Sequence, residues 1–320
     1  MTTPITRRDM LRGAVAISAA GIVTAAESST HPSNLADAGW CWDGQGFNGG
    51  VNPSIFGAGE GARWFGLERE CFMFHPNNAL AMEKLCGFRE VVCEISKWKV
   101  RRCENGVAHF LDGVIRTKCE EAGKVSALSK DYPFIKGAID DDLLGVIRRE
   151  KLKPEQYAAV HAALKKDNPR LQLWTVVYTH ELKKESWAGF EPYMDVIHLW
   201  EWDAARLPEL PRHIDLCREL FPGKPINLGC YLRDFVGKQG VALDMLKIQW
   251  ELVRKYVADG TIEGYSILGG FLIDMHPEQA TWVRDFIKSL SQNRRGLAHF
   301  AESSEQNVPV PFSSRFWDRL

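Results

Sequence analysis

Strand-like and helix-like segments alternate along most of this 320-residue chain. Short runs rich in β-branched, aromatic and other apolar residues recur about every 25 to 40 residues, and a stretch with helical spacing follows each run. Seven such runs can be recognised, at residues 71–74, 90–95, 134–140, 171–178, 196–200, 226–231 and 262–268. Alternation of this kind predicts an α/β fold in which parallel strands are joined by right-handed helical crossovers.

A (β/α)₈ barrel of the TIM type fits the length of the chain best. Its eighth strand would come from the region around Trp40 or be degenerate. An open doubly wound sheet is the alternative, but that fold carries a glycine-rich turn after its first strand, and the sequence has none there. Polar residues follow nearly every predicted strand, which is typical of the functional end of a barrel. The sequence therefore favours the barrel.

The first 26 residues resemble a twin-arginine export signal. Arg7 and Arg8 precede a weakly apolar stretch at 13–23, and small residues follow at 24–26. The apolar stretch is too short to span a bilayer, and no other stretch is long and apolar enough to do so. We therefore expect export by the twin-arginine route to the periplasm or the extracellular space, with no membrane association once the signal is removed.

The remaining chain divides into three parts. Residues 27–68 are loop-rich and glycine-rich and are expected to cover one end of the barrel, 69–290 to form the barrel with the catalytic site, and 291–320 to form a polar tail. The glycines at 57–61 are similar to a phosphate-binding loop, but no predicted strand leads into them and no predicted helix follows. No nucleotide is therefore expected to bind there.

Charge and cysteine usage argue against several other classes of protein. The formal net charge is −1, and no basic field offers a surface for nucleic acid. None of the eight cysteines forms a Cys-x-x-Cys pair, which argues against zinc ribbons and thioredoxin chemistry. Cys93 and Cys230 lie in apolar runs typical of a core. Cys103 and Cys119 are the pair most suited to a disulfide in an oxidising compartment.

The apolar run 134–139 ends abruptly in Asp140, Asp141 and Asp142. Such a run is typical of a strand that is buried on both faces and then reaches a wet edge. Three adjacent carboxylates repel one another, so we expect a function that uses them. In parallel barrels, ligands bind at the carboxyl ends of the strands, where these residues are predicted to lie. The alternative is an acidic loop in which Asp142 caps a helix.

Carboxylates and aromatic residues also follow the other predicted strands. The strand ends carry His75 and Asn77, Glu94 with Lys97 and Trp98, Tyr178 with His180 and Glu181, Glu201 with Trp202 and Asp203, Arg233 with Asp234, and Gly269 with Gly270. Aromatic faces stack on the C–H faces of sugar rings, and carboxylates accept hydrogen bonds from sugar hydroxyls. The pattern therefore favours recognition of a glycan or a small sugar.

These motifs resemble those of exported TIM-barrel glycoside hydrolases. The resemblance covers about residues 70–290 and is carried by the sequences GAIDDD at 137–142 and LWEWD at 199–203. It implies that one carboxylate donates a proton while a second acts as base or nucleophile. The chitinase pattern of alternating aspartates that ends in glutamate is absent, because Leu143 and Leu144 follow Asp142. No family's catalytic pair is therefore carried over.

We predict that Asp141 or Asp142 supplies one catalytic carboxylate and Glu201 the other, with Glu94 as the substitute if Glu201 faces outward. Asp140 is assigned to the outer face of its strand or to a supporting role. We expect Trp200 and Trp202 to point to opposite faces, so that at most one stacks on a sugar. The predicted substrate-binding residues are Glu94, Lys97, Trp98, Tyr178, His180, Trp202 and Asp234.

Three alternatives to the glycoside hydrolase remain open, and the glycoside hydrolase itself is predicted to need no cofactor. A catalytically inactive barrel would only bind glycans. A metal-dependent sugar isomerase or epimerase would place a divalent cation among Glu94, Asp141 and His180 or His198, but the spacing of these residues does not support a metal site. A phosphodiesterase would use His75 with Glu94. A Schiff-base aldolase through Lys97 or Lys136 is disfavoured, because Lys97 lies in a charged run rather than an apolar pocket.

Overall fold

The structure is a computed structural model that describes residues 34–44, 54–103 and 106–292. For 100–103, 106–110 and 291–292 it describes the backbone alone. The predicted export signal at 1–26 and nearly all of the predicted tail lie outside the described residues. Within the described part of the chain, no helix is both long enough and apolar enough to cross a membrane.

Eight parallel strands form a closed barrel, and two short hairpins project from the connections. In chain order the strands are β1 (Gly39–Asp43), β2 (Arg69–Phe72), β3 (Glu90–Glu94), β4 (Trp98–Cys103), β5 (Gly106–Leu111), β6 (Ile135–Asp140), β7 (Gln172–Tyr178), β8 (Val196–Trp200), β9 (Ile226–Cys230), β10 (Arg233–Asp234), β11 (Gln239–Gly240) and β12 (Gly264–Leu268). The barrel order is β1-β2-β3-β6-β7-β8-β9-β12, and β12 pairs with β1. The (β/α)₈ prediction is confirmed, and the open sheet is wrong.

Helices connect successive barrel strands. They are α1 (Glu60–Phe65), α2 (Ala79–Lys84), α3 (Ile115–Leu128), α4 (Leu143–Glu150), α5 (Pro154–Lys165), α6 (Lys184–Trp187), α7 (Leu210–Leu220), α8 (Leu243–Ala258), α9 (Phe271–Met275) and α10 (Pro277–Gln292). Local sequence sets several of their ends. The side chain of Asn78 accepts the N–H of Ala81 at 2.9 Å and begins α2. Pro154 begins α5, where its fixed φ suits the first turn.

The region around Trp40 supplies the eighth strand, β1, whose five residues are all buried. The predicted boundary at residue 69 is therefore too late, because part of 27–68 forms the barrel wall. A helix also follows the glycines at 57–61, contrary to the prediction. This helix, α1, has six residues between Gly59 and Gly66. Both elements are too short to show a clear hydrophobic period in the sequence.

The described cysteines are free thiols. Cys93 and Cys230 are buried in the core, as predicted. Cys119 is half-buried on α3 as a free thiol, and the side chain of Cys103, the partner predicted for it, lies outside the described part of the structure.

Large aromatic side chains fill much of the barrel interior. Alternate residues of each strand face inward. The apolar interior consists of Trp40, Trp42, Cys71, Met73, Val92, Ile139, Trp174, Val176, Val196 and Trp200. TIM barrels are more often filled by branched aliphatic residues. Four indole rings in one barrel require a very small residue at some neighbouring inward position.

Gly229 on β9 is that small residue. A Cβ atom added at Gly229 would lie 1.9 Å from Cδ2 of Trp200. The Trp200 ring therefore rests directly on the glycine backbone, and any larger residue forces the ring to move. Trp200 reaches the C-terminal end of the barrel, so Gly229 also determines the shape of that end.

We predict that Gly229→Ala lowers the free energy of unfolding by about 3 kcal/mol or more, because the added methyl group overpacks the barrel. The near-ultraviolet circular dichroism of the tryptophans should change at the same time. Gly145→Ala is the matched control, since Gly145 lies in α4 with open space around its Cα. Chemical denaturation of both variants measures the difference, and equal stabilities would contradict the packing argument.

Candidate functional site

A cavity of about 330 Å³ lies at the C-terminal ends of the barrel strands. Its only charged lining residues in the described part of the chain are Asp141 and Asp142. Val176 and Leu268 also contribute to the wall. Most of the lining is aromatic and comprises Trp42, Phe74, Trp98, Tyr178, Trp200, Trp202, Tyr231, Phe235 and Phe271.

The two-residue period of the strands brings several of these side chains into the cavity. Asp141 comes two residues after the inward-facing Ile139, and Tyr178 comes two residues after Val176. Since residues i and i+2 of a strand share a face, both continue the inward face of their strands. The cavity is thus the upper layer of the barrel interior.

Asp140 faces the opposite side of β6, between the barrel and the surrounding helices. Its carboxylate accepts a hydrogen bond from Ser96 Oγ and forms an ion pair with Lys118 of α3. Both charged side chains are at most 1% exposed. Ser96 Oγ also accepts the N–H of Asp141 at 2.8 Å. This buried group fixes the end of β6 and so positions the residue that follows.

Asp142 adopts a left-handed backbone conformation, with φ 46° and ψ 36°. It stands at the N-terminal cap of α4, but its side chain makes no capping hydrogen bond. Instead, Oδ1 accepts a hydrogen bond of 2.8 Å from the Tyr178 hydroxyl. The left-handed turn interrupts strand alternation, so two consecutive carboxylates line one cavity. The alternative in which Asp142 caps the helix through its side chain is wrong.

The environment favours protonation of both carboxyl groups. Asp141 is 6% exposed, and no described group donates a hydrogen bond to its carboxylate. Burial, together with Asp142, Glu94 and Asp140, raises the pKa of Asp141 well above its ordinary value, against the opposing effect of Lys118. Burial also raises the pKa of Asp142, and the bond from Tyr178 opposes this. Asp141 is therefore the residue better able to keep a proton.

Glu94 is a third carboxyl group close to this pair. It ends β3 and is fully buried. Oε2 accepts the N–H of Phe74 at 2.6 Å, while Oε1 has no hydrogen-bond partner among the described groups. Burial raises the pKa of Glu94 to about 7, although the charge of Lys97 opposes the shift. Glu94 does not line the cavity itself.

Glu201 lies outside the cavity. It follows the inward-facing Trp200 by one residue and therefore continues the outer face of β8. One carboxylate oxygen accepts a hydrogen bond of 2.5 Å from the Thr179 hydroxyl and lies 3.6 Å from His213 Nδ1. The other accepts the N–H of Asp203 at 3.1 Å. The structure therefore does not bring Glu201 together with Asp141 and Asp142, and Glu94 takes its place beside them.

Three other predicted binding residues also lie outside the cavity lining. Lys97 Nζ donates to the backbone carbonyls of His75 and Glu94, at 3.0 and 2.9 Å. Asp234 Oδ1 accepts two backbone N–H groups within the β10–β11 hairpin. His180 stacks on Trp202 with a centroid distance of 5.1 Å. Lys97 and Asp234 therefore hold loops, and His180 supports an aromatic wall.

Trp98, Tyr178 and Trp202 line the cavity, and so does Trp200. The prediction that Trp200 and Trp202 point to opposite faces was wrong, because positions i and i+2 of an extended chain share a face. That at most one of them stacks on a sugar stays a prediction. Five further aromatic residues were not predicted. They are Trp42, Phe74, Tyr231, Phe235 and Phe271.

The period of two could have identified some of these five residues. Trp42 continues the inward face that Trp40 begins on β1. Phe235 directly follows β10 and Phe271 begins α9, and the sequence does not reveal the paths that bring these two residues to the cavity.

The glycine-rich stretch at 57–61 binds carboxylates of the protein itself. The N–H of Gly59 donates to Glu70 at 3.1 Å, and the N–H of Ala62 donates to Asp43 at 3.0 Å. Gly270 also donates its N–H to Asp43 at 3.0 Å. Burial raises the pKa of both acids. This second acidic pair attaches α1 and the connection after β12 to β1 and β2.

Among the described residues, no three His, Cys, Asp or Glu side chains are placed to hold a metal ion. His198 lies in the barrel interior, 4.8 Å from the Trp200 ring, and burial lowers its pKa to about 3. His75 stacks on Phe72 at 5.6 Å. The described geometry therefore offers no support for the isomerase or the phosphodiesterase alternative.

No family model and no curated protein matches this chain. Similar solved structures include a chitinase from Chromobacterium violaceum, at 12% identity and a TM-score of 0.47, over 78% of this chain and 98% of the other. An endo-β-N-acetylglucosaminidase from Cordyceps militaris is similar at 14% identity and a TM-score of 0.44, over 80% of this chain and 91% of the other. A β-glucuronidase from Bacteroides uniformis is similar at 11% identity and a TM-score of 0.46, over 64% of this chain and 26% of the other.

The chain spans 26% of that glucuronidase and 46% of a second one, from Dictyoglomus thermophilum. These similarities concern the barrel fold and assign no residue or activity. Fold and cavity together define a (β/α)₈-barrel protein with an acidic, aromatic-lined site at the C-terminal end of its strands.

We predict that Glu94→Gln stabilises the protein increasingly as pH rises. Below the unfolded-state pKa of about 4.5, Glu94 is protonated whether or not the chain is folded. Between 4.5 and about 7 the unfolded chain releases the proton while the folded chain keeps it, so wild-type stability falls. The free energy of unfolding of the variant minus that of the wild type should be roughly 3 kcal/mol larger at pH 8 than at pH 4.

Denaturant titrations at several pH values measure this difference. Glu60→Gln should show the opposite sign, because the N–H of Gly57 lowers the pKa of Glu60 in the folded protein. A Glu94→Gln difference that is independent of pH would contradict the assigned protonation of Glu94.

Proposed function

We propose that this protein binds a glycan in the aromatic cavity and hydrolyses a glycosidic bond there. The observation that supports the proposal most strongly is the placement of Asp141 and Asp142 together in one aromatic-lined cavity, with their pKa values raised. Glycosidic hydrolysis needs one carboxyl group that holds a proton at neutral pH and one that is ionised. Two carboxyl groups in different environments meet this need.

Asp141 is assigned as the general acid. Its carboxyl group is buried, lacks hydrogen-bond donors among the described residues and has acidic neighbours, all of which favour the protonated form. A protonated carboxyl group can donate to the leaving glycosidic oxygen. Glu94 supports this role without contacting the substrate, because above about pH 7, where it is ionised, its negative charge raises the pKa of Asp141 further.

Asp142 is assigned as the base or nucleophile. The Tyr178 hydroxyl donates a 2.8 Å hydrogen bond to its Oδ1, and this bond favours the ionised form. The substrate ring would stack on the surrounding aromatic faces. Trp202 lines the cavity and is 43% exposed, so an incoming sugar can reach its ring.

A glycan-binding protein without catalytic activity is the second candidate. Most glycosidases place their two carboxylates on either side of the scissile bond. Here both cavity carboxylates follow the same strand, β6, and Glu201 faces away from the cavity. This one-sided arrangement is the specific observation that favours binding alone.

We predict that Asp141→Asn and Asp142→Asn each lower turnover about 100-fold or more, because each removes a proton-transfer or charge-stabilising group. Glu201→Gln should keep most of the activity, since Glu201 lies outside the cavity. The measurement is hydrolysis of a panel of aryl glycosides and polysaccharides, with and without a chelator. Glycan binding without turnover would leave the non-catalytic candidate, and loss of activity with chelator would require a metal site.

We also propose that residues 1–26 direct export by the twin-arginine route. The support is the Arg7-Arg8 pair with the short apolar stretch that follows it. The segment can be fused to a reporter that folds only in the cytoplasm. The folded reporter should then be found outside the cytoplasmic membrane. Changing both Arg7 and Arg8 to Lys should abolish delivery. Export that is unaffected by the double change would exclude this route.

A further inference from the structure

The charge of the cavity is one-sided. Among the described side chains that line it, Asp141 and Asp142 are acidic and none is basic. One described cation whose charge acts on both of them is Lys118, but its ammonium group is buried in an ion pair with Asp140 on the other face of β6. Neither cavity carboxylate therefore has an ionic partner of its own in the described structure.

Three other described cations near these strand ends have partners elsewhere. Lys97 donates to two backbone carbonyls and lies 3.6 Å from Glu121. Arg206 lies 4.0 Å from Glu201 and 3.8 Å from Glu209. Arg233 contacts His276 at 3.2 Å. Each of these three cations is therefore already engaged away from the two cavity carboxylates.

The aromatic wall favours positive charge as well. Trp200 and Tyr231 have ring centroids 4.5 Å apart, Tyr231 and Phe235 are 4.8 Å apart, and Tyr178 and Trp202 are 5.6 Å apart. The negative faces of such rings attract cations, most strongly where water is excluded. Buried carboxylates are stabilised by a cationic partner and destabilised by another anion. An anionic sugar such as a uronic acid is therefore disfavoured.

We infer that the cavity takes a sugar bearing a protonated amino group. The ammonium group would meet the Asp142 carboxylate and favour ionisation of Asp141 beside it, and the C–H face of the ring would lie against Trp202, which is 43% exposed. A volume of about 330 Å³ equals about eleven waters at roughly 30 Å³ each, enough for one sugar ring with bridging water. This inference rests on the proposed function, because it assumes that the cavity binds a sugar.

The test compares three β-1,4-linked trisaccharides that differ only at C2 of each ring. They are the glucosamine, N-acetylglucosamine and glucose trimers, and isothermal calorimetry on the full-length protein measures their affinities. At low salt and a pH where the amine is protonated, the glucosamine trimer should bind at least tenfold more tightly than the glucose trimer. The difference should shrink at high salt, because it is electrostatic.

Variants separate the charge from the aromatic wall. Asp142→Asn and Asp141→Asn should each reduce the preference for the amine, measured as the ratio of the affinity for the glucosamine trimer to the affinity for the glucose trimer. Trp202→Leu, at an exposed position, should weaken all three sugars by similar factors. Asp203→Asn is the matched control. Asp203 directly follows Trp202 after β8, does not line the cavity, and its Oδ1 accepts the N–H of Ala205. It should keep the preference.

The outcomes that overturn the inference differ from those that overturn the proposed function. Equal or tighter binding of the glucose or N-acetylglucosamine trimer would overturn the amine preference and leave a sugar site in place. A preference that persists in Asp141→Asn and in Asp142→Asn would also overturn it. Failure of all three trimers and of the wider glycoside panel to bind would overturn the sugar site itself.

Discussion

The site depends on the left-handed backbone of Asp142, at the point where β6 ends and α4 begins. An extended chain would send Asp141 and Asp142 to opposite faces of the barrel wall. A non-glycine residue in this conformation costs about 1 kcal/mol or more, so surrounding contacts must hold it. Ser96 binds the N–H of Asp141, and Tyr178 binds the carboxylate of Asp142. Strained backbone and paired carboxylates thus occur together.

The surrounding barrel holds this arrangement in place and, by burying the two carboxyl groups, raises their pKa values. The buried Lys118–Asp140 ion pair fixes β6 from outside the barrel and engages a positive charge that acts on both cavity carboxylates. Inside, tryptophan rings replace the smaller aliphatic side chains of most such barrels, and Gly229 makes room for one of them. The carboxylates of the cavity therefore sit among aromatic rings with little water to stabilise their charge. A positively charged ligand would supply the counter-charge that the described lining of the cavity lacks.

The sequence predicted the fold well because seven strand–helix units repeat with clear hydrophobic patterns. It left β1 as one of two options, since a short strand with two tryptophans and no β-branched residue has a weak signal. The carboxylates after β6 were recognisable because three acids follow a buried run. The prediction for Glu201 was wrong because adjacent residues of a strand face opposite sides, so an error of one position exchanges the inner and outer faces of the barrel. Phe235 and Phe271 reach the cavity from connections, and only the three-dimensional path brings them there.

Direct titration of the Asp141 and Asp142 carboxyl carbons by ¹³C NMR tests the central claim, that two carboxyl groups without cationic partners share this cavity. Single Asp→Asn substitutions at each position assign the two signals. The account predicts two linked titration steps, both above the ordinary aspartate pKa of about 4, with Asp141 keeping its proton to the higher pH. Two independent titrations near 4, like those of exposed aspartates, would contradict it.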